Sequence, residues 1–341
     1  MERSNPEPLT CEGVEVRFGS LRAVDGANLA VAAGEIVALL GRSGSGKTTL
    51  LRAVAGFERA TTGEIRIGGR LVESPSTSIP AHRRSVGLVF QEYALFPNQT
   101  VEANLAYGLG RGSAARVEEL IRMGQLEGLA GRYPHQLSGG QQQRVALLRS
   151  LAPRPRVLLL DEPFSNLDAG LRVAMREDVA AILRAESMTA VLVTHDRADA
   201  MAIADHIAVM EAGKVIEFAT PRDLYFRPGN WAAAGYGGEA QFLSGTASGA
   251  TAETPLGTVS LANSFEGRCQ VLVRPEWIVA APGVAVDVTA RRFEGAHSRL
   301  TLATPDGTPV AMTIASTAPQ AFEDHFCVAV RQPVPAYPPA G

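Results

Sequence analysis

One octapeptide limits the possible folds of this chain more than any other feature. Residues 41–48 read GRSGSGKT, which fits the pattern G-x-x-x-x-G-K-[ST]. The pattern follows an apolar run, Glu35–Leu40, and overlaps the start of a helical stretch, Lys47–Ala55. Glycines let backbone N–H groups turn inward around phosphate oxygens, and the start of a helix adds partial positive charge. We therefore predict a strand–loop–helix unit that binds a phosphorylated ligand.

The residues of this loop have separate expected roles. Lys47 can reach the β- and γ-phosphates of a nucleotide, and Thr48 can ligate Mg²⁺. A plain glycine-rich turn is the alternative, and the strand and helix on either side disfavour it. The predicted nucleotide-binding positions are Gly41, Arg42, Ser43, Gly44, Ser45, Gly46, Lys47, Thr48 and Thr49.

A second motif ends in two adjacent acids. Residues 157–163 read VLLLDEP, a short apolar run followed by Asp161 and Glu162. A buried strand presents such residues at the carboxyl edge of a parallel sheet, where a phosphate-binding loop also lies. Asp161 can hold Mg²⁺, and Glu162 can act as general base on an attacking water. A solvated acidic turn is the alternative, which the accompanying phosphate-binding loop disfavours.

Short apolar runs alternate with helical stretches around these two motifs. Continuous branched runs of this kind are typical of strands that are buried on both faces. Gly170–Glu186 carries apolar side chains at helical spacing. The alternation predicts an α/β fold with a largely parallel sheet. The strands are expected at Glu35–Leu40, Val86–Phe90, Val157–Leu160, Ala190–Thr194 and Ile207–Met210.

Two further regions of the N-terminal part differ from this core. Leu9–Phe18, Ala23–Val31 and Gly63–Gly69 have the residue types of strands separated by turns, which predicts a small antiparallel β layer. Residues 91–151 have few strand signals and several helical ones, which predicts a helical insertion.

The C-terminal part has a different pattern of apolar and polar residues. Beyond residue 237, short alternating runs are separated by glycine and proline, which predicts a small all-β barrel or sandwich. We therefore predict two domains, 1–237 and 238–341. The proline-rich tail, Pro333–Gly341, is expected to be frayed.

A third motif identifies a family. Residues 137–141 read LSGGQ, and they lie between the phosphate-binding loop and the acidic strand. In this order the three motifs resemble the nucleotide-binding subunits of ABC transporters over about residues 8–235. The resemblance implies a P-loop ABC ATPase cassette with a RecA-like core, an antiparallel β subdomain and a helical subdomain. It also implies ATP and Mg²⁺ as ligands.

The resemblance assigns further residues. Gln91 resembles the Q-loop glutamine, a Mg²⁺ and water ligand, and residues 165–168 (SNLD) resemble the D-loop that contains Asp168. His195 resembles the switch histidine, and Phe18 the aromatic residue that stacks on adenine, although Phe18 could instead be a core residue. Catalytic roles are thus implied for Glu162, His195, Gln91 and Lys47, and nucleotide contacts for Ser138, Gly139, Gly140 and Gln141.

The partners follow from the same resemblance. Two copies are expected to meet head to tail, so that ATP lies between the phosphate-binding loop of one and the LSGGQ of the other. A transmembrane permease is expected to dock at the helical subdomain, where Tyr93, Leu95 and Phe96 either line the groove or form the subdomain's own core. A periplasmic solute-binding protein is an indirect partner. The expected location is the cytoplasmic face of the bacterial inner membrane.

The C-terminal domain narrows the substrate class. Residues 273–276 (VRPE) resemble the RPE motif of TOBE domains, which are small OB-like β barrels. Arg291–Gly295 and Arg299–Ala303 resemble a later TOBE strand pair. The combination is similar to bacterial importers for iron(III), polyamines, sulfate, molybdate, sugars or phosphonate. The run from Glu58 through Arg84–Phe96 to Ser165–Asp168 looks most like the iron(III) and polyamine branch, and iron(III) is the expected solute.

Composition bounds the remaining alternatives. The net charge of −3 gives no general attraction to nucleic acid, and no apolar run reaches the length of a membrane span. The three cysteines, Cys11, Cys269 and Cys327, form no CxxC pair, which fits a reducing compartment. Soluble ABC ATPases, P-loop kinases and nucleotide sensors without turnover are the competing classes. They explain the motif set less completely.

Overall fold

The computed structural model describes residues 7–110 and 113–339. The chain divides into two compact units between Pro221 and Arg222. This division precedes the predicted boundary at 237/238. The physical reason is packing, because Ala234 and Tyr225 belong to the hydrophobic core of the second unit.

The first unit begins with strands and alternates afterwards. Its strands are β1 (Leu9–Phe18), β2 (Leu21–Val31), β3 (Ile36–Leu40), β4 (Thr62–Ile67), β5 (Arg70–Glu73), β6 (Val86–Val89), β7 (Val157–Asp161), β8 (Thr189–Thr194), β9 (His206–Glu211) and β10 (Lys214–Ala219). Its helices are α1 (Lys47–Ala55), α2 (Val101–Ala106), α3 (Ala114–Met123), α4 (Gly139–Leu151), α5 (Ala169–Ala185) and α6 (Arg197–Ile203). Each strand predicted for the parallel sheet is present within a residue or two of its predicted bounds.

A six-stranded sheet forms the centre of this unit. Its order is β10-β9-β3-β8-β7-β6, and all neighbours are parallel except β10 and β9. Every residue of β3 and β8 is buried, as expected for strands covered on both faces. The carboxyl ends of β3, β8 and β7 therefore lie side by side, and the loops that follow them share one edge of the sheet.

The predicted antiparallel layer is confirmed. It is a four-stranded sheet in the order β2-β1-β4-β5, and the pairing of β1 with β2 closes next to the turn between Phe18 and Leu21. Its inward side chains, Leu9, Val14 and Val24 among them, share one core with β3 and α1. The layer is thus fixed to the element that carries the phosphate-binding loop.

The helical insertion is also confirmed, with α2, α3 and α4 in residues 91–151 and no strand in the described part of that range. Tyr93 is buried in the core of this unit, whereas Leu95 and Phe96 are half-buried. Of the three residues considered for a docking groove, Tyr93 is therefore a core residue.

The second unit is built from antiparallel sheets, which confirms the predicted all-β C-terminal domain. Its sheets have the orders β11-β12-β17 and β15-β14-β13-β16. The predicted strand pair is present, with Arg292 opposite Arg299. Two short helices precede the sheets: α7 (Pro221–Phe226) and α8 (Trp231–Gly237). The strands are β11 (Gln241–Thr254), β12 (Gly257–Val273), β13 (Ile278–Glu294), β14 (His297–Ala303), β15 (Pro309–Ala315), β16 (His325–Val330) and β17 (Ala336–Tyr337).

The prediction of a frayed tail is wrong for residues 334–337. Val334 is fully buried, and β17 pairs with β12. The Asn263 side chain donates to the Ala336 carbonyl oxygen at 2.9 Å and accepts from its N–H at 2.9 Å. Proline-rich sequence did not prevent order here, because an edge strand needs few backbone donors.

Among the described residues, no helix is both long and apolar enough to cross a lipid bilayer.

Candidate functional site

A cleft of about 540 Å³ lies at the carboxyl edge of the parallel sheet. One wall is the loop between β3 and α1, and the opposite wall is the turn between β1 and β2. Of the sequence-predicted residues, the cleft gathers Phe18, Ser43, Gly44, Gly46, Lys47, Thr48, Thr49 and Glu162. The fold therefore brings the aromatic residue, the phosphate-binding loop and the predicted base to one place.

Lys47 is held within the loop that it serves. Its side chain is only 4% exposed, and its Nζ donates to the carbonyl oxygens of Gly41 at 2.8 Å and Arg42 at 2.9 Å. Burial lowers the pKa of Lys47, while the nearby carboxylates of Glu162 and Asp161 act in the opposite direction. A buried ammonium group that faces a cleft favours an anionic ligand.

Two glycines of the loop are fixed by close approach of other backbone. A Cβ atom on Gly41 would lie 2.2 Å from the Met210 carbonyl oxygen, and one on Gly46 would lie 2.2 Å from that of Ala23. Gly46 also has a φ of +99°, in the left-handed region that favours glycine. It caps α1, and no side chain caps that helix, so the first N–H groups of α1 can serve an anion.

Thr48 and Asp161 form a pair of oxygen ligands. The Thr48 hydroxyl donates to Asp161 Oδ1 at 2.9 Å. Burial raises the pKa of the Asp161 carboxyl, whereas the hydrogen bond from Thr48 lowers it. A hydroxyl and a carboxylate beside a phosphate site fit Mg²⁺, which takes oxygen ligands and completes its shell with substrate phosphates and water. Bound there, Mg²⁺ would neutralise charge on the phosphates.

Glu162 and His195 face each other across the same edge. Glu162 follows β7, His195 follows β8, and His195 Nδ1 lies 3.1 Å from Glu162 Oε2. Glu162 has a φ of +46°, in the left-handed region that is uncommon for a residue with a side chain. Its backbone is held by a hydrogen bond to the Val193 carbonyl oxygen at 3.0 Å. A carboxylate so placed can accept a proton from water.

Phe18 is a surface residue and not a core residue. It ends β1, lines the cleft and is 48% exposed. An exposed aromatic ring at the rim of a nucleotide-sized cleft offers a stacking surface for a base.

The LSGGQ residues lie outside this cleft in the single chain. Ser138 is the N-cap of α4: its hydroxyl accepts from the Gln141 N–H at 3.4 Å, and its own N–H donates to Gln141 Oε1 at 2.9 Å. Gly139 begins the helix, and Gly140 packs against Leu171 and Met175. The nucleotide contacts predicted for these residues therefore need a second molecule.

Gln91 and Asp168 also lie outside the lining of the cleft. The Gln91 carbonyl oxygen accepts from Asn166 Nδ2 at 3.0 Å. Asp168 caps α5, accepting from the Leu171 N–H at 2.9 Å. The remaining predicted loop residues, Gly41, Arg42 and Ser45, shape the phosphate-binding loop without lining the cleft.

Sequence reasoning missed the turn between β9 and β10. Ala212 and Gly213 line the cleft, and the Gly213 N–H donates to the Ser45 carbonyl oxygen at 3.0 Å. The Gly213 carbonyl oxygen accepts from the Asp25 N–H at 2.9 Å. No local motif marks this turn, because its role comes from its position beside β3. Leu21, Arg22 and Ala23 of β2 were missed for the same reason.

Comparisons with known sequences agree with this geometry. The ABC transporter family matches residues 24–165. The chain is 44% identical to the "Fe(3+) ions import ATP-binding protein FbpC" of Mesorhizobium japonicum, over 79% of this chain and 76% of that protein. It is 47% identical to "FbpC 1" of Rhodococcus jostii, over 82% and 84%. It is 42% identical to the "Sulfate/thiosulfate import ATP-binding protein CysA 2" of Chromobacterium violaceum, over 92% and 88%.

A solved structure is similar as well. It is the dimeric structure of a post-hydrolysis state of an ATP-binding cassette bound to ADP and Pi. The match has a TM-score of 0.53 and 29% sequence identity, and it covers 62% of this chain and 98% of the other.

Proposed function

This chain belongs to the ATP-binding subunits of ABC transporters, and we propose that it hydrolyses ATP to energise an importer of iron(III). The observation that carries the proposal is the joint placement of Lys47, Thr48 and Glu162 in one cleft. A phosphate-binding loop alone would support nucleotide binding. A carboxylate in the same cleft, with His195 Nδ1 at 3.1 Å from its Oε2, supports turnover.

The residues of the cleft have separate proposed roles in ATP binding and hydrolysis. Phe18 would receive the base, and the N–H groups of the loop and Lys47 would hold the phosphates. Thr48 and Asp161 would hold Mg²⁺. Glu162 accepts a proton from the attacking water, and His195 orients Glu162 and the terminal phosphate. Gln91 would be a further residue that holds Mg²⁺.

The working form is proposed to be a pair of these chains. Ser138, Gly139, Gly140 and Gln141 lie outside their own cleft, yet they begin a helix whose N-terminus suits a phosphate. In a head-to-tail pair they would contact the ATP held by the other copy, with Asp168 nearby. The similar cassette is itself described as dimeric.

The proposed transport partner is a transmembrane permease. The surface of the helical insertion offers half-buried Leu95 and Phe96, and the Phe96 ring packs on Tyr107 with a centroid distance of 4.2 Å. Apolar rings at a surface suit a helix docked from a partner. A periplasmic solute-binding protein would deliver the solute to that permease. The subunit would then be peripheral, on the cytoplasmic face of the inner membrane.

Iron(III) is the proposed solute because two iron(III) import ATP-binding proteins match this chain across most of its length. A sulfate or thiosulfate importer is the second candidate, since such a relative matches 92% of this chain. The polyamine alternative rests on motif resemblance alone.

Uptake in cells that lack this subunit tests the proposal. The cells receive wild type, Glu162→Gln, or the control Glu177→Gln, which alters an exposed carboxylate on α5. We expect wild type and the control to restore uptake of labelled iron(III), and Glu162→Gln to fail. In purified protein, Glu162→Gln should lower kcat by about 10²–10⁴ while ATP binding remains. Restoration of labelled sulfate or putrescine instead would replace iron(III) as the solute.

A further inference from the structure

The loops around the proposed catalytic centre are joined by hydrogen bonds that no motif predicts. Ser165 donates through its N–H at 3.2 Å and its hydroxyl at 3.0 Å to the Glu162 carbonyl oxygen. Asn166 Nδ2 donates to the Gln91 carbonyl oxygen at 3.0 Å. The turn of residues 165–168 is thus tied to the backbone of Glu162 and to the backbone of Gln91.

Arg172, in the first turn of α5, extends these ties to the histidine. One guanidinium nitrogen, Nη2, donates to the Leu167 carbonyl oxygen at 3.1 Å. The other, Nη1, donates to Asp196 Oδ2 at 3.1 Å. Leu167 directly precedes Asp168, and Asp196 directly follows His195. The planar guanidinium group of Arg172 therefore fixes the distance between the turn of residues 165–168 and the loop that carries His195.

We propose that Arg172 is a positioning residue for ATP hydrolysis, which couples the turn of residues 165–168 to the loop that carries His195. The proposal rests on the ATPase function proposed above. A guanidinium group suits this task because its donors have a fixed planar geometry, and a carbonyl oxygen and a carboxylate are matched acceptors. Arg172 does not line the cleft, so it acts through its neighbours and not on the nucleotide.

Asp196 passes this restraint on to the histidine loop. Its Oδ1 accepts from the Ala198 N–H at 2.7 Å, which caps α6, and its own N–H donates to the Thr194 hydroxyl at 2.9 Å. Arg176 donates through Nε to Asp199 Oδ1 at 2.6 Å, and its Nη2 lies 3.8 Å from Asp196 Oδ2, a longer contact than that of Arg172. With one carboxylate oxygen fixed to α6 and the other to Arg172, residue 196 cannot shift without moving His195. A shift in the turn of residues 165–168 is thereby transmitted to the catalytic histidine.

Arg184 provides a matched control on the same helix. It lies in the last turn of α5 and donates from one nitrogen to the Ile203 carbonyl oxygen at 3.2 Å and to Asp205 Oδ1 at 3.0 Å. These contacts also join α5 to a carbonyl oxygen and an aspartate, but at the opposite end of the helix, away from the loops of the site. If Arg172 only held α5 in place, loss of either arginine would have the same effect.

Steady-state ATP hydrolysis by the purified full chain tests the coupling. We expect Arg172→Ala to lower kcat about 10-fold or more, because small displacements of catalytic groups are costly. KM for ATP should stay within about twofold of wild type, since no contact to the cleft is lost. Arg172→Lys should retain part of kcat, because an ammonium group can make one of the two bonds but lacks the fork. Arg184→Ala should keep wild-type values of both constants.

Hydrogen–deuterium exchange gives a readout that does not depend on turnover. Arg172→Ala should speed exchange in residues 164–168 and 194–199 together, and Arg184→Ala in neither. If Arg172→Ala does not fold, Asp196→Asn is used, which weakens the charged contact and keeps the helix cap. Equal kcat in the Arg172 or Asp196 variant and in Arg184→Ala would overturn the coupling. Absence of hydrolysis by wild type would instead refute the proposed function.

Discussion

Two of the buried cations, Lys47 in the first unit and Arg274 in the second, have different surroundings. Lys47 of the first unit is 4% exposed, and its Nζ contacts two carbonyl oxygens of its own loop. Arg274 of the second unit is fully buried and donates to the carbonyl oxygens of Tyr225, Glu239 and Ala234. Its guanidinium carbon also lies 4.6 Å from the centroid of the Tyr225 ring and 5.3 Å from that of Trp277.

The different hydrogen-bond partners of the two buried cations indicate different roles. The partners of Arg274 come from α7, α8 and the segment before β11, so the cation joins segments that are distant in sequence. The partners of Lys47 are local, and it borders a cleft, so an arriving phosphate can replace them. Arg274 joins segments of its own unit, whereas Lys47 is proposed to hold charge for a ligand. Four substitutions test this contrast.

The largest effect is expected from Lys47→Met. The substitution removes a cationic donor from the phosphates, so kcat for ATP hydrolysis should fall by about 10²–10³-fold. The fold of the second unit should not change. Both tryptophans, Trp231 and Trp277, lie in that unit, so intrinsic tryptophan fluorescence during urea unfolding reports on it. A shifted fluorescence midpoint in Lys47→Met would contradict the contrast.

Arg274→Met should do the reverse. The carbonyl oxygens of Tyr225, Glu239 and Ala234 lose this donor, and the free energy of unfolding of the second unit should fall by about 3 kcal/mol or more. Tryptophan fluorescence in urea measures this change. ATP hydrolysis at low temperature, where the variant remains folded, should match wild type. Arg274→Lys is the charge-preserving control. Its free energy of unfolding should lie between those of wild type and Arg274→Met, because it keeps one donor group.

Phe18→Ala should have a smaller effect, and this effect is on ATP binding. Loss of a stacking surface for the base should raise KM for ATP about 10-fold and leave kcat nearly unchanged. The control is Phe57→Ala, which removes another exposed ring that does not line the cleft. Steady-state kinetics compare the two variants. An equal change in KM for both variants would show that Phe18 provides no specific stacking surface for the base.

The smallest effect is expected from Asp161→Asn without nucleotide. Burial raises the pKa of Asp161 in the folded state, so the folded protein binds its proton more tightly than the unfolded chain does. Stability is therefore lost as pH rises from the unfolded pKa through the folded one, and the charged form destabilises the protein at neutral pH. The variant should have a Tm higher by roughly 1–3 °C at pH 7. Calorimetry at acidic pH should show this difference vanish.

The fold was predictable where neighbouring residues carry the signal. The buried strands β3, β7 and β8 are continuous apolar runs, and each is found within a residue or two of its predicted bounds. That residues 334–337 of the tail are well ordered could not be predicted from the sequence. Val334 and Ala336 are fixed by Ser260 and Asn263, which are distant in sequence, and local proline content points the other way.

The phosphate-binding loop, the acidic pair after β7 and the family could be predicted from the sequence, because each depends on a few adjacent residues whose chemistry does not vary with context. The three-dimensional fold was needed to show which of these residues share a cleft, that the Gly213 N–H donates to Ser45, and that Arg172 joins the turn of residues 165–168 to the loop of His195. Those relations join residues that are far apart along the chain. Their distances are set by the order of strands in the sheet, which no short motif records.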